Sequence, residues 1–315
     1  MLLQGSTLRP SDLQQNEIKM PNTMPINTAA LTELVGKFAY SDGDYQTAIP
    51  GLMVYRRSSS TAPMPSIYAL GLALTVQGVK VVTLGNEVLH YGTGQSLVTS
   101  LDVPVVSHIT NATVDKPYLG LCLALDVKTI AQVAAEIDSP IAEHNPTALS
   151  VMTLEAGLLD AVIRLVSLLD EPVYIPQIAP LIQREIAVRL LGGQHGPSLR
   201  HLVTLGSQCQ RIAKAISWLR QNFTGNLSMD DLADRAHMSP SSFRQHFRSV
   251  AGMSPLQYIK HLRLQEAKHM MMNGNLDAGS AALRVGYESA SQFSREYTRL
   301  FGQPPGRDVK RARVN

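Results

Sequence analysis

Two short stretches, fifty residues apart, place arginine, glutamine and small polar side chains at matching positions. An arginine guanidinium can donate two hydrogen bonds to guanine O6 and N7, and a glutamine amide can pair in the same way with adenine. Small residues beside them allow a backbone to approach base edges closely. The pattern indicates base recognition, and the residues that carry it are Ser241, Ser242, Arg244 and Gln245 in the first stretch and Ala290, Ser291, Gln292 and Arg295 in the second.

Basic residues around these stretches could neutralise phosphates, as Lys and Arg do in most nucleic-acid complexes. From 205 to 315 there are 16 Lys and Arg against 8 Asp and Glu, a net charge of +8, whereas 1 to 204 carries 12 against 17, a net charge of −5. The contrast favours a polyanionic partner for the C-terminal third, although a solvated basic surface also fits the charge alone. The predicted phosphate contacts are Arg248, Arg299, Lys310 and Arg311.

The remaining candidate chemistry is a metal centre or a reactive thiol in the N-terminal part. Glu87 and His90 lie close together and His108 follows, but no His-x-His pair is present and a metal site needs ligands that converge. Cys122 and Cys209 match no metal or redox spacing. We therefore predict no catalytic residue, no metal and no cofactor. For Cys122 two interpretations remain open, packing within an apolar strand or a thiol that senses oxidants or electrophiles.

The elements that position the polar stretches form an internal repeat, because residues 239–255 match residues 289–305 at a constant offset of fifty. Each copy reads as helix, tight turn and helix, over 227–250 and 276–301. Ser228 and Ser239 are predicted helix caps in the first copy, and Ser289 caps the second helix of the other. Aromatic residues one helical turn apart then face inwards, and the polar residues between them face outwards.

A predicted helix over residues 255–272 connects the two copies, since the segment is rich in good helix formers. At 1.5 Å per residue it forms a rod of roughly 27 Å. Consecutive major-groove turns on one face of B-DNA lie about 34 Å apart. The spacing therefore predicts that both copies can face consecutive turns of double-stranded DNA.

The N-terminal two thirds of the chain shows a different pattern of apolar and polar residues from the C-terminal third. Residues 1–25 are polar and predicted to be disordered, 26–126 is β-rich with a barrel-like pattern, and 127–203 is helical, which gives an α+β chain whose all-α domain covers 204–315. No secretion signal or membrane-spanning stretch is visible, so a cytoplasmic protein without a membrane partner is expected. Weak candidates for a small-molecule site are Tyr55, Tyr68, His90 and Cys122, with Tyr40 and Tyr45 less specific, while His144 and His195 are expected to face solvent.

Residues 227–312, and most specifically GYESASQFSREYTRLFGQPP, resemble the DNA-binding domain of the AraC/XylS family of bacterial regulators. Residues 180–202, with the β-rich stretch before them, look like the N-terminal domain of one AraC-type subgroup. The resemblance implies a cupin-like barrel that binds an effector, a helical segment that forms homodimers, and activation or repression of promoters, with RNA polymerase as a partner of an activator. By position it assigns base reading to Ser241, Arg244, Gln245, Ala290, Ser291 and Arg295.

Three functions therefore stay open at this point. The first is a transcription regulator whose DNA binding responds to a small-molecule effector. The second is a regulator that binds no ligand and uses its N-terminal domain only for dimerisation or for contact with a partner. The third, and the least supported, is a metal-dependent cupin enzyme fused to a DNA-binding domain.

Overall fold

The computed structural model describes residues 27–137, 147–225, 227–274 and 276–314. The predicted disorder of 1–25 and the solvent-facing position expected for His144 concern residues outside these ranges. Two antiparallel β-sheets form the N-terminal domain, and helices make up the C-terminal domain. The α+β class with a β-rich, cupin-like first domain is thereby confirmed.

Ten strands of the described residues build the two sheets. The six-stranded sheet has the order β1-β2-β9-β4-β7-β10, and the four-stranded sheet has the order β3-β8-β5-β6. Their bounds are β1 Gly43–Gln46, β2 Leu52–Arg57, β3 Met64–Tyr68, β4 Gly71–Gln77, β5 Val79–Leu84, β6 Glu87–Gly92, β7 Gln95–Thr99, β8 Val103–Thr110, β9 Tyr118–Ala124 and β10 Leu149–Thr153.

Twelve α-helices lie within the described residues. Five accompany the sheets: α1 Ala29–Phe38, α2 Val127–Glu136, α3 Ala156–Ser167, α4 Ile175–Gly192 and α5 Gly196–Val203. Seven form the C-terminal domain: α6 Gln208–Asn222, α7 Met229–Arg235, α8 Pro240–Ala251, α9 Pro255–Asn273, α10 Ala278–Arg284, α11 Ala290–Phe301 and α12 Pro305–Val314.

The first hydrophobic core lies between the six-stranded sheet and α1 to α5. Successive side chains of a strand point to opposite faces, so Leu72, Leu74 and Val76 of β4 are buried in this core. Ala73, between them, faces the other side of the sheet and lines a cavity. The alternation of large and small residues visible in the sequence thus builds a core on one face and leaves space on the other.

Two elements of this domain escaped the sequence analysis. Helix α1 buries Leu31 and Val35 in the first core, although its sequence gave no helical prediction. Strand β10 lies within the stretch that read as helical, and it pairs antiparallel with β7 from Leu149↔Thr99 onwards. The chain therefore returns to the sheet once before the helical layer is complete.

His195 is buried rather than solvent-facing, which corrects the expectation from its Gly/Pro-rich surroundings. Its side chain is 4% exposed, and its two ring nitrogens each lie 2.8 Å from a serine hydroxyl, Nε2 from Ser96 Oγ and Nδ1 from Ser150 Oγ. Those serines belong to β7 and β10. Because both nitrogens find partners, the imidazole can be buried beneath the helical layer without an unsatisfied polar atom.

A second core joins the barrel to the first half of the helical domain. Val82, Leu84 and Val103 of the four-stranded sheet share one cluster of buried side chains with α6 to α9. The contact is close: a Cβ on Gly252, at the end of α8, would lie 2.8 Å from Leu84 Cγ. The first helix-turn-helix unit is therefore packed directly on the β-rich domain.

The second helix-turn-helix unit has a separate core. Phe293 and Tyr297 of α11 are fully buried with Ala281, Ala282 and other residues of α9 and α10. None of the residues in this third cluster belongs to the barrel. The two units thus differ in how firmly they are attached to the N-terminal domain.

Candidate nucleic-acid interface and effector pocket

The first unit, α7 and α8, begins both of its helices with the predicted caps. Ser228 Oγ accepts hydrogen bonds from the backbone N–H groups of Asp230 and Asp231, and Ser239 Oγ accepts one from Ser242. Each cap satisfies donors that a helix start would otherwise leave unpaired. Between the helices, His237 adopts a positive φ of 51°, which makes the tight turn.

Helix α8 presents its predicted base-reading side chains to solvent. Phe243 and Phe247 are fully buried, and Phe247 also meets the Tyr258 ring edge-on at 5.5 Å between centroids. Anchoring this inner face leaves the opposite face free. Ser241, Arg244, Gln245 and Arg248 are exposed and Ser242 is half-buried.

The second unit, α10 and α11, repeats this arrangement with one difference. Asp277 caps α10 and Ser289 caps α11 through the backbone N–H of Gln292. The left-handed turn residue is Gly286, with φ of 88°. The second helices of the two units are offset by fifty residues but the first helices by forty-nine, so the turn of the second unit is one residue longer.

Helix α11 also exposes the residues predicted to read bases, namely Ala290, Ser291, Gln292 and Arg295, together with Arg299. Neither Arg244 of α8 nor Arg295 of α11 forms an ion pair with another described residue. Gln292 is less free, since its amide donates to Glu296 Oε1 at 3.3 Å.

Glu296 anchors α11 to its neighbours. It pairs with Lys260 of α9 at 2.6 Å and accepts a hydrogen bond from the Tyr287 hydroxyl at 2.7 Å. Burial alone would raise the pKa of Glu296, but these bonds together lower it, so the carboxylate stays ionised.

Arg263 of the connecting helix ties the second unit to the end of α6, and the sequence analysis did not identify it. Its guanidinium donates three hydrogen bonds of 2.8 Å, to the carbonyl oxygens of Phe223, Gly225 and Gly286. Phe223 and Gly225 follow α6, and Gly286 is the turn of the second unit. One side chain of α9 thus ties the end of α6 to the second unit.

The predicted phosphate contacts Lys310 and Arg311 lie on α12 and are exposed. This helix is held by Asp308, which accepts a hydrogen bond from Tyr297 at 2.7 Å and pairs with Lys268 at 2.7 Å. These bonds attach α12, and with it Lys310 and Arg311, to the second unit.

A cavity of about 380 Å³ lies within the β-rich domain, in the size range of small-molecule sites. Tyr55, Tyr68 and Cys122, three of the four weak candidates, line it. His90 does not, because its side chain on β6 is exposed on the outside of the sheet.

Two other tyrosines suggested by the sequence also lie elsewhere. Tyr40 is exposed, and Tyr45 packs against its ring at 5.3 Å between centroids. The cavity is instead completed by residues that the sequence analysis did not identify, among them Lys80, Tyr91, Tyr118 and Ser66.

Burial controls the protonation of the cavity walls. It raises the pKa values of the Tyr55, Tyr91 and Tyr118 phenols, which therefore stay neutral at physiological pH and keep their O–H groups. Burial also raises the pKa of the Cys122 thiol, although nearby Lys80 acts in the opposite direction. A protonated thiol is a poor nucleophile, which counts against the sensor interpretation of Cys122, although the side chain lines the cavity.

Within the described ranges, no group of three or more His, Cys, Asp and Glu side chains could hold a metal ion. The three residues considered for such a site, Glu87, His90 and His108, do not form one. Among the described helices, none is long and apolar enough to cross a membrane.

Comparison with protein families identifies both parts of the chain. Residues 48–198 match the model of the AraC-type transcriptional regulator N-terminus, and residues 232–311 match a helix-turn-helix domain. The first match contains the cavity and the second contains the two helix-turn-helix units, apart from a few residues at the ends of the matched ranges.

The curated relatives named here align with about a third of this chain. An AraC-like transcription regulator of Streptomyces lividans is 34% identical over 95 residues, which is 30% of this chain and 31% of that protein. The HTH-type transcriptional activator RhaS of Escherichia coli is 26% identical over 109 residues, or 35% of this chain and 39% of RhaS. The aligned part thus spans 31% to 39% of the length of these relatives.

Among solved structures, apo ToxT from Vibrio cholerae shares the fold of nearly the whole chain. The similarity covers 84% of this chain and 98% of ToxT, with a TM-score of 0.55 at 12% identity. A structure of ToxT bound to an unsaturated fatty acid covers 82% and 94%, with a TM-score of 0.50 and 12% identity. Because one chain matches both the AraC-type N-terminal model and, after it, the helix-turn-helix model, this chain belongs to the AraC family of transcriptional regulators.

Proposed function

We propose that the protein is a sequence-specific, DNA-binding transcription regulator controlled by a small molecule bound in its β-rich domain. The observation that carries the DNA-binding part is the pair of matching faces on α8 and α11. Both helices begin at a serine that caps them, and both are anchored by buried aromatic residues. Both expose an arginine with no ion-pair partner among the described residues.

The geometry of α9 supports contact with consecutive major-groove turns. It has 19 residues, which at 1.5 Å each gives a rod of about 28 Å. Arg263 holds the second unit on this rod, so α8 and α11 can contact one duplex at the same time. The α8 face would read one half of the site and the α11 face the other.

The cavity is the proposed effector site, and strands that line it also contact both helix-turn-helix units. Lys80, Val82 and Leu84 alternate along β5 and therefore share one face, which begins at the cavity and ends against Gly252 of α8. Strand β3, which supplies Ser66 and Tyr68 to the cavity, lies beside α11. The fatty-acid complex of ToxT gives a structural neighbour in which a ligand is bound.

Asp102, between β7 and β8, is a third connection. Its carboxylate pairs with Arg220 of α6 and accepts the backbone N–H of Leu70, next to the cavity. Its carbonyl oxygen accepts the Tyr258 hydroxyl of α9 at 2.9 Å. A ligand that binds one arrangement of these contacts better than another shifts the orientation of the reading helices.

We further propose a homodimer formed through α4. Val173, Leu181 and Val188 are exposed apolar residues on or just before this helix, and Val173 and Leu181 are 73% and 68% exposed. Contiguous exposed apolar side chains commonly mark an interface. Light scattering of the wild type and of Leu181→Glu tests this: a dimer that becomes a monomer in the variant supports it, and a wild-type monomer refutes it.

The experiment for DNA binding is selection of genomic fragments by the full-length protein, followed by footprinting of the best sites. Arg295→Ala is expected to weaken specific binding by about 1–3 kcal/mol and to relax base choice in one half of the site. Lys128→Ala removes the same charge from an exposed position of α2 and serves as the control. An unchanged footprint and affinity for Arg295→Ala would contradict the assignment.

The effector part requires its own measurement. Small molecules that raise the melting temperature of the full-length chain are tested for their effect on the affinity for the selected DNA. Ala73→Phe, which fills the cavity from β4, is expected to abolish both effects. Ligands that bind in the cavity without changing DNA affinity would favour the ligand-independent regulator.

A further inference from the structure

We infer that the cavity of the β-rich domain recognises a monocarboxylate with an apolar body, and that Lys80 with the hydroxyls of Ser66 and Tyr68 binds the carboxylate. This inference rests on the proposed function, because it specifies the chemical class of the effector. Its argument, however, depends only on charge, burial and unpaired polar atoms within the cavity.

Lys80 supplies a positive charge that the protein does not neutralise. No carboxylate of the described residues lies within ion-pairing distance of its ammonium group, whereas Arg57, the other strong base of the cavity, pairs with Asp44 at 2.5 Å. The Lys80 ammonium lies over the rings of Tyr68 and Tyr55, at 5.3 and 5.9 Å from their centroids. Aromatic faces stabilise the cation without cancelling its charge.

The ammonium also stays protonated. Burial opposes its charge, but the oxygens of Tyr91, Tyr118 and Tyr68 surround it, and the net effect raises the pKa of Lys80. A buried charge normally has a counterion, because isolation from water is costly. An anionic ligand would provide the missing partner.

Two hydroxyl donors without acceptors support the same conclusion independently. Ser66 Oγ is buried without a hydrogen-bond partner, and the O–H of buried Tyr68 has no acceptor, since its oxygen lies against the Lys80 ammonium. Both belong to β3 and are two residues apart, so they share the face that lines the cavity. Buried polar atoms without partners are uncommon, and two hydroxyl donors beside an ammonium match the two oxygens of a carboxylate.

The rest of the cavity fits an apolar body of limited size. Ala73 and Ile109 contribute aliphatic surface, and the tyrosine rings contribute aromatic surface. A volume of about 380 Å³ holds about a dozen water-sized groups. A medium-chain fatty acid and an arylalkanoic acid both meet these requirements, so the shared chemistry is an apolar carboxylate.

The other ligand classes fit less well. A cationic ligand would be repelled by Lys80, which already occupies the aromatic faces. A neutral ligand would leave the ammonium without a counterion. An electrophile that reacts with Cys122 would meet a protonated thiol, since burial raises the pKa of that group.

The test is calorimetric titration of the full-length protein with octanoate and with 4-phenylbutyrate, each compared with its uncharged amide. Both pairs keep the body constant and change only the head group. At least one acid is expected to bind about ten- to a hundredfold more tightly than its amide. The acid that binds more tightly shows whether the apolar body of the ligand is aliphatic or aromatic.

Variants locate the head group. Lys80→Met should remove the preference for acid over amide, and Lys80→Arg should restore it. Tyr68→Phe removes a hydroxyl that is proposed to bind the carboxylate, so it should weaken binding of the acid about three- to tenfold. Lys116→Met, which removes an exposed lysine outside the cavity, is the matched control and should keep the preference for the acid.

Equal affinities for acids and amides, no binding of either acid, or an undiminished preference in Lys80→Met would each overturn the inference. These failures differ from failure of the proposed function. Carboxylate binding without any change in DNA affinity would refute the effector role and leave the ligand class standing. A neutral molecule that binds the cavity and alters DNA affinity would support the effector role and refute the ligand class.

Discussion

His195 should make the stability of the protein depend on pH in a way that one substitution removes. The imidazole is 4% exposed and held between Ser96 and Ser150, and burial lowers its pKa to about 4. In the unfolded chain the same group has its ordinary pKa of 6.5. Between these values the unfolded state binds a proton that the folded state excludes.

The sign and size of the effect follow from this difference. Because the unfolded state holds more protons between pH 6.5 and about 4, the free energy of unfolding falls as the pH falls through that window. The contribution is fully present above the unfolded pKa. A change from 6.5 to about 4 corresponds to a loss of about 3 kcal/mol on complete protonation.

Urea denaturation of the wild type and of His195→Gln, from about pH 7.5 to about pH 4, measures this loss. The glutamine can keep a hydrogen bond to one of the serines but does not titrate, so the wild type should lose about 3 kcal/mol more than the variant. His269→Gln removes an exposed imidazole and is the matched control. Parallel pH dependences for wild type and His195→Gln would refute the linkage argument.

Three further predictions concern the contacts that orient the reading helices. Tyr258→Phe leaves a backbone carbonyl unpaired and should lower the free energy of unfolding in urea by about 1–3 kcal/mol. Arg263→Met removes three hydrogen bonds and should cost about 3 kcal/mol or more, with footprinting showing loss of protection in the half-site of the second unit. Gly252 and Gly302 end the second helices of the two units with φ of 70° and 75°, but a Cβ would clash with Leu84 only at Gly252. Gly302→Ala should therefore cost about 1 kcal/mol in melting experiments, and Gly252→Ala about 1–3 kcal/mol more; equal costs would show that the interdomain contact is loose.

The sequence predicted the helix-turn-helix units well because their signals are local. A serine cap, a proline at the first helical position and a glycine at the end act within a few residues, and the capping hydrogen bonds of Ser228, Ser239 and Ser289 are found as predicted. The forty-nine-residue offset of the first helices was missed, because the matching residues all lie in the second helices. Their contacts with DNA remain predictions.

The cavity could not be predicted, because it is assembled from distant strands. Lys80 on β5 reads in sequence as one charge within an apolar strand, and only the pairing of β5 with β8 and β6 places it among tyrosines. Strand β10 pairs with a partner fifty residues away, and its five residues carry too little pattern to be distinguished from the helices around it. His195 was misjudged for a related reason, since its burial depends on serines from two strands.

The unequal attachment of the two units suggests how the signal travels. The first unit shares a buried core with β5 and β8, and close packing of this kind resists relative movement. The second is joined to the rest through α9, the bonds of Arg263, and the position of α11 beside β3. On the proposed function, a ligand that draws Ser66 and Tyr68 inwards would displace β3, which lies beside α11. Because both faces must contact one duplex at a fixed separation, moving α11 relative to α8 changes the affinity for the whole site, even when neither face is altered.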